Sequence, residues 1–210
     1  MGPIAGGDEL RDRVCDAALA CIARWGVAKT TLEDVAREAG CGRATIYRSF
    51  RGGKSEVLSA VVMREAGRLR DAVDGAIVEA GPDLEDMVVG GVVAATGFLG
   101  EHEALAYLLA REPELILPWV AFDRLGVLFD IVAEYAAPHL RPFLPDPDEA
   151  ARAAEWLARV VLTYVLNPAD GVDLADERAA RHLLRTYVLP GLTAGVSPRL
   201  QEEACPATSS

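Results

Sequence analysis

The stretch from Thr30 to Lys54, TTLEDVAREAGCGRATIYRSFRGGK, leaves little freedom in how it can fold. Thr31 can cap a helix, with Asp34 at the capping-box spacing. Leu32, Val35, Ala36 and Ala39 then share one helical face. Gly40 stops the helix, because glycine accepts the left-handed conformation a helix end often needs. Cys41 and Gly42 make the turn. Arg43 to Phe50 forms a second short helix, with Ala44, Ile46, Tyr47 and Phe50 as its non-charged positions. Two helices about a tight glycine turn form a helix-turn-helix, whose second helix enters the DNA major groove.

The run from Gly26, G-x-x-x-T-T-L-E-D-V-A-R-E-A-G-C-G-R-A-T-I-Y-R-S-F, resembles the DNA-binding domain of TetR-family transcriptional regulators. The following R-G-G-K-S-E-V-L matches a variant seen at the start of that family's next helix. The resemblance covers about residues 14–62. Gly42 departs from it: many members carry a small hydroxyl residue there, so a hydroxyl cap and a phosphate contact are in doubt. Glycine is still tolerated at a helix N-cap.

Within the motif, Arg43, Ala44, Thr45, Tyr47 and Arg48 occupy the first two turns of the second helix, where base edges are met. Arginine bonds guanine in a bidentate way, and Ala44 or the Thr45 methyl suits a thymine methyl. Tyr47 is expected to grip phosphate. Lys54 starts the next helix and is expected to point its ammonium at a phosphate. Thr31 completes the DNA-facing set. Outside such a motif, two arginines read as solvated charges and Ala44 and Ile46 as packing. Gly52-Gly53-Lys54-Ser55 looks like half of a P-loop, but Arg48 stands where that loop needs glycine and no strand precedes it.

Net charge is −11, which alone argues against a nucleic-acid partner. The distribution reverses that. Residues 1–60 carry 9 Lys plus Arg against 8 Asp plus Glu, whereas the remaining 150 carry 12 against 24. From Arg37 to Lys54 five bases face one acid, Glu38, which gives phosphates a local basic patch. Cys15, Cys21, Cys41 and Cys205 form no C-x-x-C pair, so no metal site is expected. Cys15 and Cys21 read as small hydrophobes. No apolar run reaches membrane-spanning length and no signal peptide is evident, so a cytoplasmic location is expected.

The remainder is expected to be all helical: residues 8–25 bracing the motif, then 54–80, 84–100, 103–111, 119–137, 148–167 and 174–189. The predicted division is 1–53 for the helix-turn-helix domain, 54–192 for a larger helical ligand-binding and dimerisation domain, and 193–210 for a flexible tail. The 54–80 helix joins the domains and is the natural lever; its buried side is expected to hold Val57, Leu58, Val61, Val62, Leu69, Val73 and Ile77. Gly67 and Gly75 weaken it or allow close packing.

Apolar residues cover more than one face of 148–167, and Leu183, Leu184, Tyr187 and Val188 form a stripe on the last helix. Such surplus is satisfied by either an internal core or a subunit interface. The resemblance implies the latter, a four-helix bundle in a homodimer, with Trp156, Val160, Tyr164, Leu184 and Tyr187 in it. It also implies an effector pocket, with Met87, Phe98, His102, Tyr107, Trp119, Phe122 and Phe129 as candidate lining and Thr96 and Asp123 as polar anchors. No basic cluster lies there, which favours an apolar small molecule. The function expected is a regulator, in the family's commoner mode a repressor, that binds a roughly palindromic double-stranded operator and is released by that effector. No cofactor is implied. The rival readings are a ligandless dimeric DNA-binding or partner-binding protein and a helical enzyme. No catalytic set or cofactor loop supports the enzyme.

Overall fold

The computed structural model describes residues 5–115 and 124–194. Among them the elements are all helices, joined by turns and loops, with one isolated bridge between Ala169 and Val172. The helices are α1 (Ala5–Lys29), α2 (Leu32–Glu38), α3 (Arg43–Ser49), α4 (Lys54–Ala80), α5 (Leu84–Gly100), α6 (Glu103–Arg111), α7 (Arg124–Leu140), α8 (Pro147–Leu166), α9 (Glu177–Leu183) and α10 (Leu189–Ala194), with a π-helical turn at Leu184–Val188 between the last two. No described helix is long and apolar enough to cross a membrane. Trp119, Phe122, Asp123 and the expected tail from residue 195 lie outside the described residues.

Two cores organise the chain. The first gathers Val14, Ala18 and Cys21 of α1, Val35 and Ala36 of α2, and Ile46 with Phe50 at the rear of α3. Val57 and Val61 complete it, so the first two turns of α4 pack with the preceding helices. Beyond them α4, 27 residues and roughly 40 Å long, runs on against α5. Val62 is 66% exposed rather than buried: it lies over a quarter-turn round the helix from Val61, and Val61 takes the core side. Close packing of α4 on α5 falls on α5's own glycine. A Cβ at Gly90 would sit 3.2 Å from the Ala76 carbonyl oxygen, whereas one at Gly67 or Gly75 would meet nothing within 4 Å.

The second core joins α5 (Met87, Val88, Val89, Val92) to α7, α8 and the C-terminal turns through Ala137, Leu140, Ala150, Ala154, Leu174, Ala180 and Leu184. Asp146 caps α8 and Pro147 opens it, as the sequence predicts. Several boundaries differ: α1 runs Ala5–Lys29 across a kink at Gly26 rather than 8–25, and the C-terminal helices reach Ala194 rather than 189. Helix α7 continues through Pro138 to Leu140; proline removes one backbone donor, but burial of Ala137 and Leu140 on the core side holds the turn. The last helix starts at Glu177 instead of 174, because Leu174 is buried in the loop and Asp176 is the cap.

Candidate nucleic-acid interface

The local chemistry of the motif is realised. Thr31 accepts from the Asp34 amide and Asp34 from the Thr31 amide, a complete capping box. The Thr31 hydroxyl, its amide and Arg37 together hold the Asp34 carboxyl below the usual carboxylate range. Gly40 ends α2 at φ 62°. Arg13 donates to the Ala39 carbonyl at 2.9 Å, and Arg11 donates to the Ser49 carbonyl at 2.6 Å while lying over the Phe50 ring. Helix α1 therefore caps the ends of both motif helices with its own arginines. Gly42 caps α3 with no side-chain bond, and a Cβ there would meet only Thr45 Oγ1 at 3.7 Å. Gly42→Ser is expected to stabilise the protein by about 0.5–1 kcal/mol, through the added cap and a less flexible unfolded chain, raising the melting temperature by roughly 1–4 °C. Thermal denaturation measures it.

Helix α3 turns Ile46 inward and, with Phe50 after it, is sealed against the core; both are fully buried. Its opposite side presents Arg43, Ala44, Tyr47 and Arg48 as exposed residues, with Thr45 half-buried. Of the non-charged positions expected on this helix, Ile46 and Phe50 pack while Ala44 and Tyr47 face out. Arg48 donates to Thr45 Oγ1 at 3.2 Å. Arg43 donates to Glu33 Oε1 at 2.9 Å and to the Tyr47 hydroxyl at 3.4 Å. The Tyr47 hydroxyl and then Glu33 push the Arg43 guanidinium further above its usual value. Lys54 Nζ donates to the Val27 carbonyl at 2.6 Å. An ammonium has three N–H donors, so two remain for a phosphate. Thr31, Arg43, Tyr47 and Lys54 line one recess of about 320 Å³ beside α3, together with Thr30 and Glu33. Ala44, Thr45 and Arg48 of the same helix do not line that recess.

A joint behind this surface was not read from the sequence. Gly26 interrupts α1 at φ 80° and ψ 171°. The freed amides of Val27 and Ala28 donate to Glu112, at 2.7 and 3.3 Å. Tyr107 and Glu112 crowd Gly26 so closely that a Cβ there would lie 2.3 Å from Glu112 Oε1 and 2.8 Å from Tyr107 Cε1. The end of α6 thus clasps the turn whose next carbonyl holds Lys54. The only local signal is Gly26 itself; Glu112 lies 85 residues beyond Val27, whose amide it accepts.

The expected effector residues do not share one setting. Met87 is in the second core. Phe98 stacks at a tilt 6.1 Å from His102. His102 caps α6 through Nδ1 and turns Nε2 to within 3.5 Å of Glu65 on α4. Tyr107 packs on Gly26. Phe129 is buried beneath the Arg159 guanidinium, 4.1 Å from the ring centre. Thr96 is buried with its hydroxyl unpaired. Of the expected interface residues, Trp156 is 52% and Tyr187 75% exposed, while Val160 and Tyr164 are half-buried against the second core. Leu184 is fully buried within the chain and offers no surface to a partner. The π-turn widens the helix at that point and separates Leu184 and Val188 from Tyr187. Among the described residues no group of three His, Cys, Asp or Glu is placed to hold a metal ion.

Residues 14–61 match the family model described as bacterial regulatory proteins, tetR family. An uncharacterised HTH-type transcriptional regulator of Mycobacterium tuberculosis is 29% identical over 185 residues, covering 87% of this chain and 85% of its own. The crystal structure of the TetR family repressor AlkX from Dietzia sp., implicated in biodegradation of n-alkanes, superposes with a TM-score of 0.59 at 21% identity, covering 86% of this chain and 95% of that one. The fatty acid degradation regulator FadR from Bacillus halodurans superposes with a TM-score of 0.57 at 23% identity, covering 84% and 98%. These likenesses show the fold: an N-terminal helix-turn-helix domain followed by a larger helical domain.

Proposed function

We propose that the chain, whose residues 14–61 match the tetR family model, is a TetR-family repressor that binds a roughly palindromic operator as a homodimer and is released by a small apolar effector. One observation carries the DNA reading: α3 is sealed behind by Ile46 and Phe50 and presents Arg43, Ala44, Tyr47 and Arg48 to solvent. Two such helices spaced one duplex turn apart, about 34–36 Å, read successive half-sites. That spacing requires a dimer, and Trp156 with Tyr187 supplies the exposed aromatic surface for it. Acid is concentrated beyond residue 60, which keeps the rest of the molecule off the phosphates.

Release follows by linkage. An effector that prefers a dimer with wrongly spaced recognition helices lowers DNA affinity by the factor by which DNA lowers effector affinity. Helix α4 spans both cores and is the lever; the Glu112 clasp on the 26–28 turn is a second connection. The apolar effector is supported by the lack of a basic cluster in the second domain and by the n-alkane and fatty acid processes with which AlkX and FadR are associated. A dimer without an effector is the second reading, favoured by the engagement of His102 and Tyr107 with α4 and Gly26. A melting-temperature screen against alkanes, fatty acids and drug-like compounds separates the two, since a ligand at 100 times its Kd adds about 2.7 kcal/mol.

The operator reading is tested by incubating the protein with sheared DNA of its own source at moderate salt and sequencing what stays bound. One enriched inverted repeat is expected; a folded dimer that enriches nothing, even after removal of small molecules, overturns the reading. On that operator, Arg48→Ala is expected to cost about 1–3 kcal/mol and relax specificity at one position. Lys54→Ala weakens all sequences alike and lowers the salt slope by about one.

A further inference from the structure

The recess beside α3 contains one acid among its cations. Glu33, in the first turn of α2, reaches across to Arg43 at 2.9 Å, while Lys54 lies on the same wall. Arg43 is engaged here by the Glu33 carboxylate, the Tyr47 hydroxyl and, 5.5 Å away, the Tyr47 ring. Its guanidinium bridges Glu33 of α2 and Tyr47 on the exposed side of α3. A carboxylate and a phosphate make the same demand on a guanidinium, two parallel acceptor oxygens. Glu33 therefore offers Arg43 an acceptor of the same charge sign as a backbone phosphate.

We propose that Glu33 is an internal competitor for Arg43, a positioning residue that holds this arginine off DNA until a DNA acceptor displaces the carboxylate. The proposal rests on the DNA-binding reading of α3. The side chains of the pair are 55% and 70% exposed, so the bond is weak enough to exchange on contact. Its effect is to subtract from affinity. With Glu33 in place, Arg43 reaches a phosphate only by leaving an existing partner, and the phosphate approaches a like charge. The opposite role, holding Arg43 ready for a base, predicts the opposite sign.

The test uses the full-length protein and a labelled duplex of mixed sequence, about 30 base pairs long, which needs no knowledge of the operator. Binding is followed by fluorescence anisotropy from low to moderate salt. Glu33→Gln keeps the side chain's size at an exposed position. It is expected to tighten binding about fivefold, the upper worth of an exposed ion pair. It is also expected to steepen the log–log salt dependence by about 0.9, the increment for one further neutralised phosphate. A structural role alone would leave that slope unmoved. In an Arg43→Ala background the same change should tighten binding less than twofold, since the arginine it frees is gone. Unchanged or weaker binding by Glu33→Gln overturns the proposal, as does a full fivefold gain without Arg43. Wild-type protein that binds no duplex at any salt overturns the DNA reading and this inference with it.

Discussion

Trp156→Glu is expected to yield a folded monomer that no longer holds operator DNA. Trp156 lies on α8, and half of it is open to solvent although it is among the largest side chains present. It flanks a recess of about 220 Å³ with Leu144 and Ala153 on one side and Gly191 and Leu192 of α10 on the other. Buried tryptophans dominate interface energies, often at 2 kcal/mol or more, and a glutamate adds an unpaired charge to the same contact. Because the side chain is exposed in the single chain, the change spares the second core. Sedimentation should report a species near 22.4 kDa. Operator affinity should fall by at least about a hundredfold, since the second half-site is no longer tethered to the first. A dimer that survives places the interface on another face.

Gly26→Val should loosen the joint between the two domains. Backbone at φ 80° and ψ 171° is essentially closed to residues with a Cβ, at a cost of roughly 1–3 kcal/mol. Relief of the contact with Glu112 and Tyr107 must come from moving them, which strands the Val27 and Ala28 amides and withdraws the turn that presents a carbonyl to Lys54. A total of about 3–5 kcal/mol is expected, or a fall of roughly 6–20 °C in melting temperature. Glu112→Gln keeps the volume and an amide-binding oxygen and should cost about 1 kcal/mol. If Gly26→Val melts with the wild type, the clasp contributes nothing to the joint.

The amino-acid sequence by itself determined the helix-turn-helix and most helix ends. Thr31 with Asp34, Gly40, Gly26 and Asp146-Pro147 act over four residues or fewer, through caps and backbone conformations that need no distant partner. The stripe that buries Ile46 and Phe50 is likewise a local period. Tertiary structure alone decided what the exposed charges do and where the second domain's side chains point. Arg43 meets Glu33 across the recess, Lys54 meets the Val27 carbonyl, and Tyr107 and Glu112 lie on Gly26; each contact joins residues on different elements, so no spacing rule reaches it. Leu184 turned inward for a related reason. A π-turn shifts the helical register, and Leu184, its first residue, is buried in the second core with Leu174 and Ala180, which lie outside the turn.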